Sequence, residues 1–258
     1  MLKVRVIPTL LWKGAGLVKG VGFDSWRRVG PVLPAIKVYN TRDVDELILV
    51  DIAANQTGQG PDTESVAEFA EHCFVPFCVG GGIRDTAHVQ QLLRAGADKV
   101  CLNTAAYQLP GLISEVARRF GAQCLVVSID ARRTSGGWRC YSHSGTEDTG
   151  RHPAEWAGEA VARGAGEILI TSIDCDGSMQ GYDLALTEQV VRAVNVPVVA
   201  SGGAGNFAHM RQAILEAGAS AVAAASMFHF TEQTPAQAKR ALALAGIAMR
   251  STYVGPNS

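Results

Sequence analysis

The sequence predicts an α/β fold closed into a (β/α)8 TIM barrel made of two similar half-barrels, and three observations carry that prediction. The stretch VPFCVGGGIRDTAHVQQLLRAGADKVCLNTAA, residues 75–106, recurs as VPVVASGGAGNFAHMRQAILEAGASAVAAASMF, residues 196–228, displaced by 121 residues from Val75 to Val196. Each copy reads as an apolar strand, a glycine-rich turn, a helix, Ala-Gly-Ala and a second apolar strand. A second echo, DELILVDI from Asp45 and GEILITSI from Gly166, keeps the same displacement. Strands then alternate with helices along the whole chain, which calls for a parallel sheet with crossover helices. The period is too long for solenoid or propeller repeats of about 20–50 residues; a doubly wound open sheet is the competing arrangement.

Length and composition suit one such domain over residues 1–258, with half-barrels at about 1–121 and 122–246. A barrel of this kind takes about 250 residues. The 47% hydrophobic content fits a buried parallel sheet, and a net charge of −1 gives no basic footprint for nucleic acid. No run reaches the roughly 18 apolar residues of a membrane span, and MLKVRVIPTL does not read as a signal peptide; a cytoplasmic protein is expected. The six cysteines show no CxxC pair and no ligand-spaced histidine, so they read as core thiols and no metal is expected.

In chain order, the first strand is VRVIPTLL, followed by a long glycine-rich connection, WKGAGLVKGVGFDSWRRVG, without a helical period. A connection of that length in a compact barrel reads as a lid or binding loop. Pro31 and Pro34 open a helix, Glu46 to Ile52 form the second strand, and the polar loop AANQTGQGPD leads to a helix near Thr63. Val75 to Val79 and DKVCLN are the third and fourth strands. In the second half, QCLVVSID is the fifth strand, and RRTSGGWRCYSHSGTEDTG suggests a hairpin over the barrel mouth. EILITSID, PVVAS and AVAAA complete the set, AQAKRALALAG is the last helix, and the tail after Gly246 is expected to fray.

Chemistry in such barrels sits at the C-terminal ends of the strands. There the repeat delivers Gly82 with Asn103 and Thr104 in one half, and Gly203 with Ala225 and Ser226 in the other. Each set offers side-chain-free backbone N–H groups and a hydroxyl at a helix start, a way to bind phosphate without lysine. Two such pockets imply a ligand with a phosphate at each end. Between them Asp130, at the tip of the fifth strand, is the best acid or base. The repeat places Leu11 where a partner acid would stand. Asp51 and Asp174 at the ends of the second and sixth strands, Lys13 and Lys19 in the first loop, and Ser201 are further polar groups; Asp51 and Asp174 equally read as loop anchors.

At the opposite ends of the strands, Arg5, Glu46, Lys99 and Glu167 alternate in charge. Buried charges in parallel strands must be paired, so these four form either a ring at the barrel floor or four separate solvated rim charges.

From Arg5 to about Arg250 the chain resembles the cyclase subunit of imidazole glycerol phosphate synthase, the HisF family, through GGGI, LNTA, GEILITSID, DG, ASGGAG and SMFHF taken together. The resemblance implies a HisH-type glutaminase docked at the floor, and ammonia crossing the barrel to a bisphosphorylated aminoimidazole ribonucleotide at the top. It implies phosphate sites at Gly82, Asn103 and Thr104 and at Asp176, Gly177, Gly203 and Ser226. It further implies an ammonia gate at Arg5, Glu46, Lys99 and Glu167, a glutaminase-facing position at Asp98, and catalytic roles for Asp130 and Lys19, with Asp51 as a further catalytic candidate. No cofactor is implied. The departure is Leu11, which stands where the family has its other catalytic aspartate. The phrase RVIPTLLWKGAGLVKG resembles a divergent branch associated with acetamidino modification of bacterial surface sugars, in lipopolysaccharide biosynthesis, where barrel and glutaminase supply ammonia to a separate amidotransferase. That is the leading expectation. The alternatives are a histidine-pathway synthase in which Asp51 or Lys13 substitutes for the lost acid, and a non-catalytic activator of a glutaminase.

Overall fold

The computed structural model describes residues 3–54, 58 and 60–250. The first half runs β1 (Arg5–Lys13), β2 (Gly16–Val21), β3 (Asp24–Gly30), α1 (Val32–Asn40), β4 (Leu47–Asp51), α2 (Thr63–Glu71), β5 (Phe77–Gly80), α3 (Thr86–Arg94), β6 (Lys99–Leu102), α4 (Thr104–Gln108) and α5 (Gly111–Phe120). The second runs β7 (Leu125–Thr134), β8 (Gly137–Ser142), β9 (Glu147–Asp148), α6 (Pro153–Ala162), β10 (Glu167–Ser172), α7 (Leu184–Ala193), β11 (Val198–Ser201), α8 (Phe207–Leu215), β12 (Ala221–Ala224), α9 (Ser226–Phe230) and α10 (Pro235–Leu244). The loop 53–62 lies partly outside the described residues.

Strands β1, β4, β5, β6, β7, β10, β11 and β12 pair in parallel, and the β7–β10 pairing closes them into an eight-stranded barrel. Closure explains the composition of these strands: one face packs under the helices and the other fills the barrel, so both faces are apolar. The outer core packs the helices, as with Val89 and Leu92 of α3 and the fully buried Trp156 of α6, against residues such as Val6, Leu49 and Val100. The interior is a separate cluster that includes Ile7, Ile48, Cys78, Cys101, Val126, Leu169 and Val199. The helices start where the sequence supplies caps. Asp62, Asp85, Asp183 and Asn206 each accept a backbone N–H of the first turn, and Thr234 with Gln237 forms a capping box.

The two halves match beyond the barrel. Both first strands, β1 and β7, run past the rim into antiparallel hairpins, β2–β3 and β8–β9. The sequence suggests only the second, because the glycines of the first loop mask its alternation. The expected fraying after Gly246 is corrected up to Arg250. Ile247 is buried, Val4 donates its N–H to Ala248 O at 2.9 Å, and Met249 bridges to Val4.

A buried lysine paired with two aspartates, Asp45 and Asp43, fastens the last helix to the barrel. Lys239 of α10, 3% exposed, donates to Asp45 Oδ1 at 2.9 Å and to the Asp43 carbonyl at 3.2 Å. Asp45 in turn accepts the Val6 N–H at 2.9 Å. Replacing Lys239 by Met strands the Asp45 charge and is expected to cost about 3–5 kcal/mol in urea unfolding. Adding Asp45→Asn to Lys239→Met is expected to recover most of that loss.

Candidate active site at the barrel mouth

Side chains alternate along a strand, so residues two apart share the barrel interior and build it in layers. Arg5, Glu46, Lys99 and Glu167 form the floor; Ile7, Ile48, Cys101 and Leu169, each two residues on, sit above them in the apolar interior. Thr9, Val50, Asn103 and Thr171, two further on, line the mouth.

At the floor the four charges form a closed ring rather than separate rim charges. Arg5 pairs with Glu46 at 2.5 Å and with Glu167; Lys99 bonds Glu46 at 2.9 Å and Glu167 at 2.7 Å. For Lys99 and Glu167, burial disfavours the charged form, but the opposite charges outweigh it. Lys99 is thereby held above its ordinary value by Glu167 and Glu46, and Glu167 below its own by Arg5 and Lys99. Asp98 lies exposed nearby and accepts the Phe77 N–H at 2.8 Å.

The mouth encloses about 1200 Å³ of space, counting its opening. Asp130 stands half-buried on its wall, reached through the cavity yet surrounded by protein. Burial, then the charge of Asp176, push its carboxyl up to about 7 against hydrogen bonds from Ser128 and Thr171. Asn103 adds an amide N–H at 3.1 Å and also donates to the Ser128 carbonyl at 3.2 Å. The ladder confirms Leu11 as the counterpart of Asp130: Leu11 pairs with Val50, Asp130 with Thr171, and both lie at the base of a hairpin. Two polar positions of the second half are thus apolar in the first.

Two glycine turns face each other across this mouth. Gly81 and Gly82 follow β5 with φ of 107° and 68°, Gly202 and Gly203 follow β11 with φ of 86° and 107°, and all four line the cavity. A Cβ on Gly82 would stand 2.8 Å from the Gly60 carbonyl carbon, so the close backbone approach itself requires glycine. Beside the second turn, the Ser226 hydroxyl is buried with no internal partner among the described residues. Its counterpart Thr104 accepts the His143 N–H at 3.0 Å, which seats the tip of the β8–β9 hairpin over the first turn.

The remaining candidates separate. Lys19, 3% exposed, grips both oxygens of Asp176 at 2.8 and 2.6 Å and so ties the first hairpin to the second half. The Asp176 carboxylate is occupied by that grip and its N–H by the Ser172 carbonyl at 3.0 Å, while the adjacent Gly177 lines the mouth. Asp51 lines the mouth; burial raises its carboxyl, although the Ala53 and Ala54 N–H groups pull it down and make it a loop anchor as well. Asp174 accepts the Arg133 N–H at 2.7 Å outside the mouth, and Lys13 is exposed away from it. Sequence reasoning missed Phe23 and Trp26 of the first hairpin and Ser144 of the second, all of which line the mouth; the aromatics in an otherwise glycine-rich loop were the available signal. Among the described residues no three His, Cys, Asp or Glu side chains converge as metal ligands, and no helix is long and apolar enough to cross a membrane.

The raised Asp130 carboxyl has a sign that stability can test. Its folded value lies above the ordinary one, so the protonated form is favoured on folding, and stability is lost as pH rises from about 4 through 7. Asp130→Asn removes the buried charge and is expected to gain roughly 2 kcal/mol or more on wild type between pH 5 and pH 9. Parallel stability curves over that range would contradict the buried-acid assignment.

Comparison with known proteins agrees with this architecture. The family described as "Histidine biosynthesis protein" matches residues 5–234. Proteins named imidazole glycerol phosphate synthase subunit HisF from two strains of Caulobacter vibrioides are 48% identical over 252 residues, covering 97% of both chains. One of the same name from Hyphomonas neptunium is 47% identical over 251 residues, covering 97% of this chain and all of the relative. With a family match over nearly its whole length and full-length relatives at this identity, the chain belongs to the HisF family of histidine biosynthesis proteins.

Proposed function

We propose that this chain is the ammonia-consuming cyclase subunit of an imidazole glycerol phosphate synthase, working with a HisH-type glutaminase docked at the barrel floor. The carrying observation is one carboxyl, Asp130, set on the wall of the mouth between two matched glycine turns, in a chain whose relatives bear that synthase name. This reverses the order of the sequence-based expectations, since those names support the histidine-pathway reading and lend nothing to surface-sugar amidination.

In this reading the turns at Gly82 and Gly203, with Thr104, Gly177 and Ser226, hold the two phosphates of an aminoimidazole ribonucleotide through backbone N–H groups and hydroxyls. Asp130, poised near neutrality, moves a proton at the reacting centre. Lys19 and Asp176 hold the first hairpin over it. Among the described residues Asp51 is the one carboxyl on the first-half wall of the mouth and takes the place of the acid lost at Leu11; Lys13, turned away from the mouth, does not. Ammonia enters through the floor ring of Arg5, Glu46, Lys99 and Glu167 and rises through the apolar interior.

A second reading rests on Leu11 and Val50, which make the first-half wall apolar where proton transfer would need an acid. On it, the barrel relays ammonia to a separate sugar amidotransferase. Turnover of the bisphosphorylated ribonucleotide with saturating ammonium salt separates the two, because ammonium removes the need for a glutaminase. Clear wild-type turnover, abolished by Asp130→Asn and sharply reduced by Asp51→Asn, is expected. No wild-type turnover, with activity gained in Leu11→Asp, would transfer the assignment to the second reading. Lys99→Ala combined with Glu167→Ala is expected to lower glutamine-driven turnover by about tenfold or more relative to ammonium-driven turnover, equivalent to roughly 1.4 kcal/mol of barrier.

A further inference from the structure

Two histidines that the proposed chemistry does not use occupy matched places in the two halves. His88 of α3 and His209 of α8 lie 121 residues apart, the displacement of the whole repeat. Each donates its backbone N–H to the residue capping its helix, His88 to Asp85 at 2.9 Å and His209 to Asn206 at 3.0 Å. Each accepts, through Nδ1, the backbone N–H just before that cap, from Arg84 at 3.3 Å and from Gly205 at 3.2 Å. Those N–H groups belong to the segments that leave the Gly82 and Gly203 turns.

Each ring also lies against a glycine of the neighbouring loop. A Cβ on Gly60 would stand 3.0 Å from Cε1 of His88, and one on Gly181 would stand 3.7 Å from Cδ2 of His209. Gly60 and Gly181 are themselves 121 apart, both have positive φ, and each supports the glycine that faces the mouth. A Cβ on Gly82 would come within 2.8 Å of the Gly60 carbonyl carbon, and one on Gly203 within 2.7 Å of that of Gly181. Gly181 also donates its N–H to Gly203 O at 2.8 Å. In the second half, Asn206 Nδ2 stands 3.2 Å from His209 Nε2, and Gln233 Nε2 donates to Gly205 O at 2.9 Å.

Helix capping alone does not account for the imidazoles. Asp85 and Asn206 already cap, and a residue in the histidines' place ordinarily reaches back to the cap's own N–H. These rings reach one residue further, to the turn, while their atoms fill the space beside a glycine.

We propose that His88 and His209 are a matched pair of positioning residues, one for each anion-binding turn, each locking turn, helix start and neighbouring loop into one unit. The proposal rests on the reading of the two turns as phosphate sites.

The test is titration of inorganic phosphate into the full chain, followed by calorimetry and phosphorus NMR. Wild type is expected to bind two phosphates. His209→Ala is expected to weaken one site by about tenfold, the scale of one lost hydrogen bond in the cradle, and His88→Ala the other. His209→Asn, whose side-chain oxygen can accept the Gly205 N–H, is expected to restore most of the affinity. Ser226→Ala should be non-additive with His209→Ala and additive with His88→Ala, because only the first pair shares a site. Circular dichroism and thermal unfolding check that each variant is folded; if an alanine variant is not, His88→Leu and His209→Leu, which keep bulk beside the glycine but cannot accept the N–H, carry the same comparison. Wild-type affinity at both sites in the alanine variants, or equal weakening of both sites by either of them, overturns the proposal. A wild type that binds no phosphate, or binding indifferent to Ser226→Ala, instead overturns the phosphate reading on which it rests.

Discussion

Closure of eight parallel strands gives this chain a sealed interior, and every other residue of each strand must fill it. The pairing of β7 with β10 makes that closure, joining the first strand of the second half to the second. Charges placed inside such a ring have little water to turn to, so Arg5, Glu46, Lys99 and Glu167 satisfy one another. The apolar layer above them, with Cys78, Ala221 and Ala223 among its members, offers no competing partner. The same alternation that makes the floor ionic makes the mouth polar again two layers up, at Thr9, Asn103 and Thr171.

Doubling of a half-barrel makes the mouth symmetric in its backbone, and point changes make it asymmetric in its chemistry. The glycine turns, their caps and their hairpins recur at matched positions, so two backbone turns face each other across the mouth as a consequence of the repeat. The acid does not recur. Asp130 with Thr171 forms a hydrogen-bonding end, while Leu11 with Val50 forms an apolar one. The Lys19–Asp176 pair bridges the two ends and places a second carboxylate close enough to raise Asp130. A ligand with a phosphate in each cradle would therefore present chemically different faces to the two halves.

Much of this was legible in the sequence, and the illegible parts share a cause. The repeat, the strand ends and the glycine turns are local patterns, and they located Gly82, Thr104, Gly203, Ser226 and Asp130 on one rim. The floor charges were visible as residues at strand starts, where a paired ring was one of two readings; the choice between them depended on barrel closure, which brings Arg5 and Glu167 together across 162 residues of chain. Lys19 and Asp176, 157 residues apart, are alike in this. The first hairpin was hidden by its glycines, which weaken alternation, and the end of the chain by Ile247, whose burial depends on the barrel bottom. Asn103 was legible as a rim residue but its contact with Asp130 was not, since a residue's position on a rim does not say which neighbour its amide reaches.

The central claim is that two half-barrel cradles hold the two ends of one ligand. Calorimetric binding of the bisphosphorylated aminoimidazole ribonucleotide and of each of its monophosphate forms, without ammonium or glutaminase, addresses it directly. The account requires one bisphosphate per chain, held about a hundredfold or more tighter than either monophosphate, because the second phosphate binds at high effective concentration once the first is seated. A monophosphate binding as tightly as the bisphosphate, or two bisphosphates binding per chain, would contradict it.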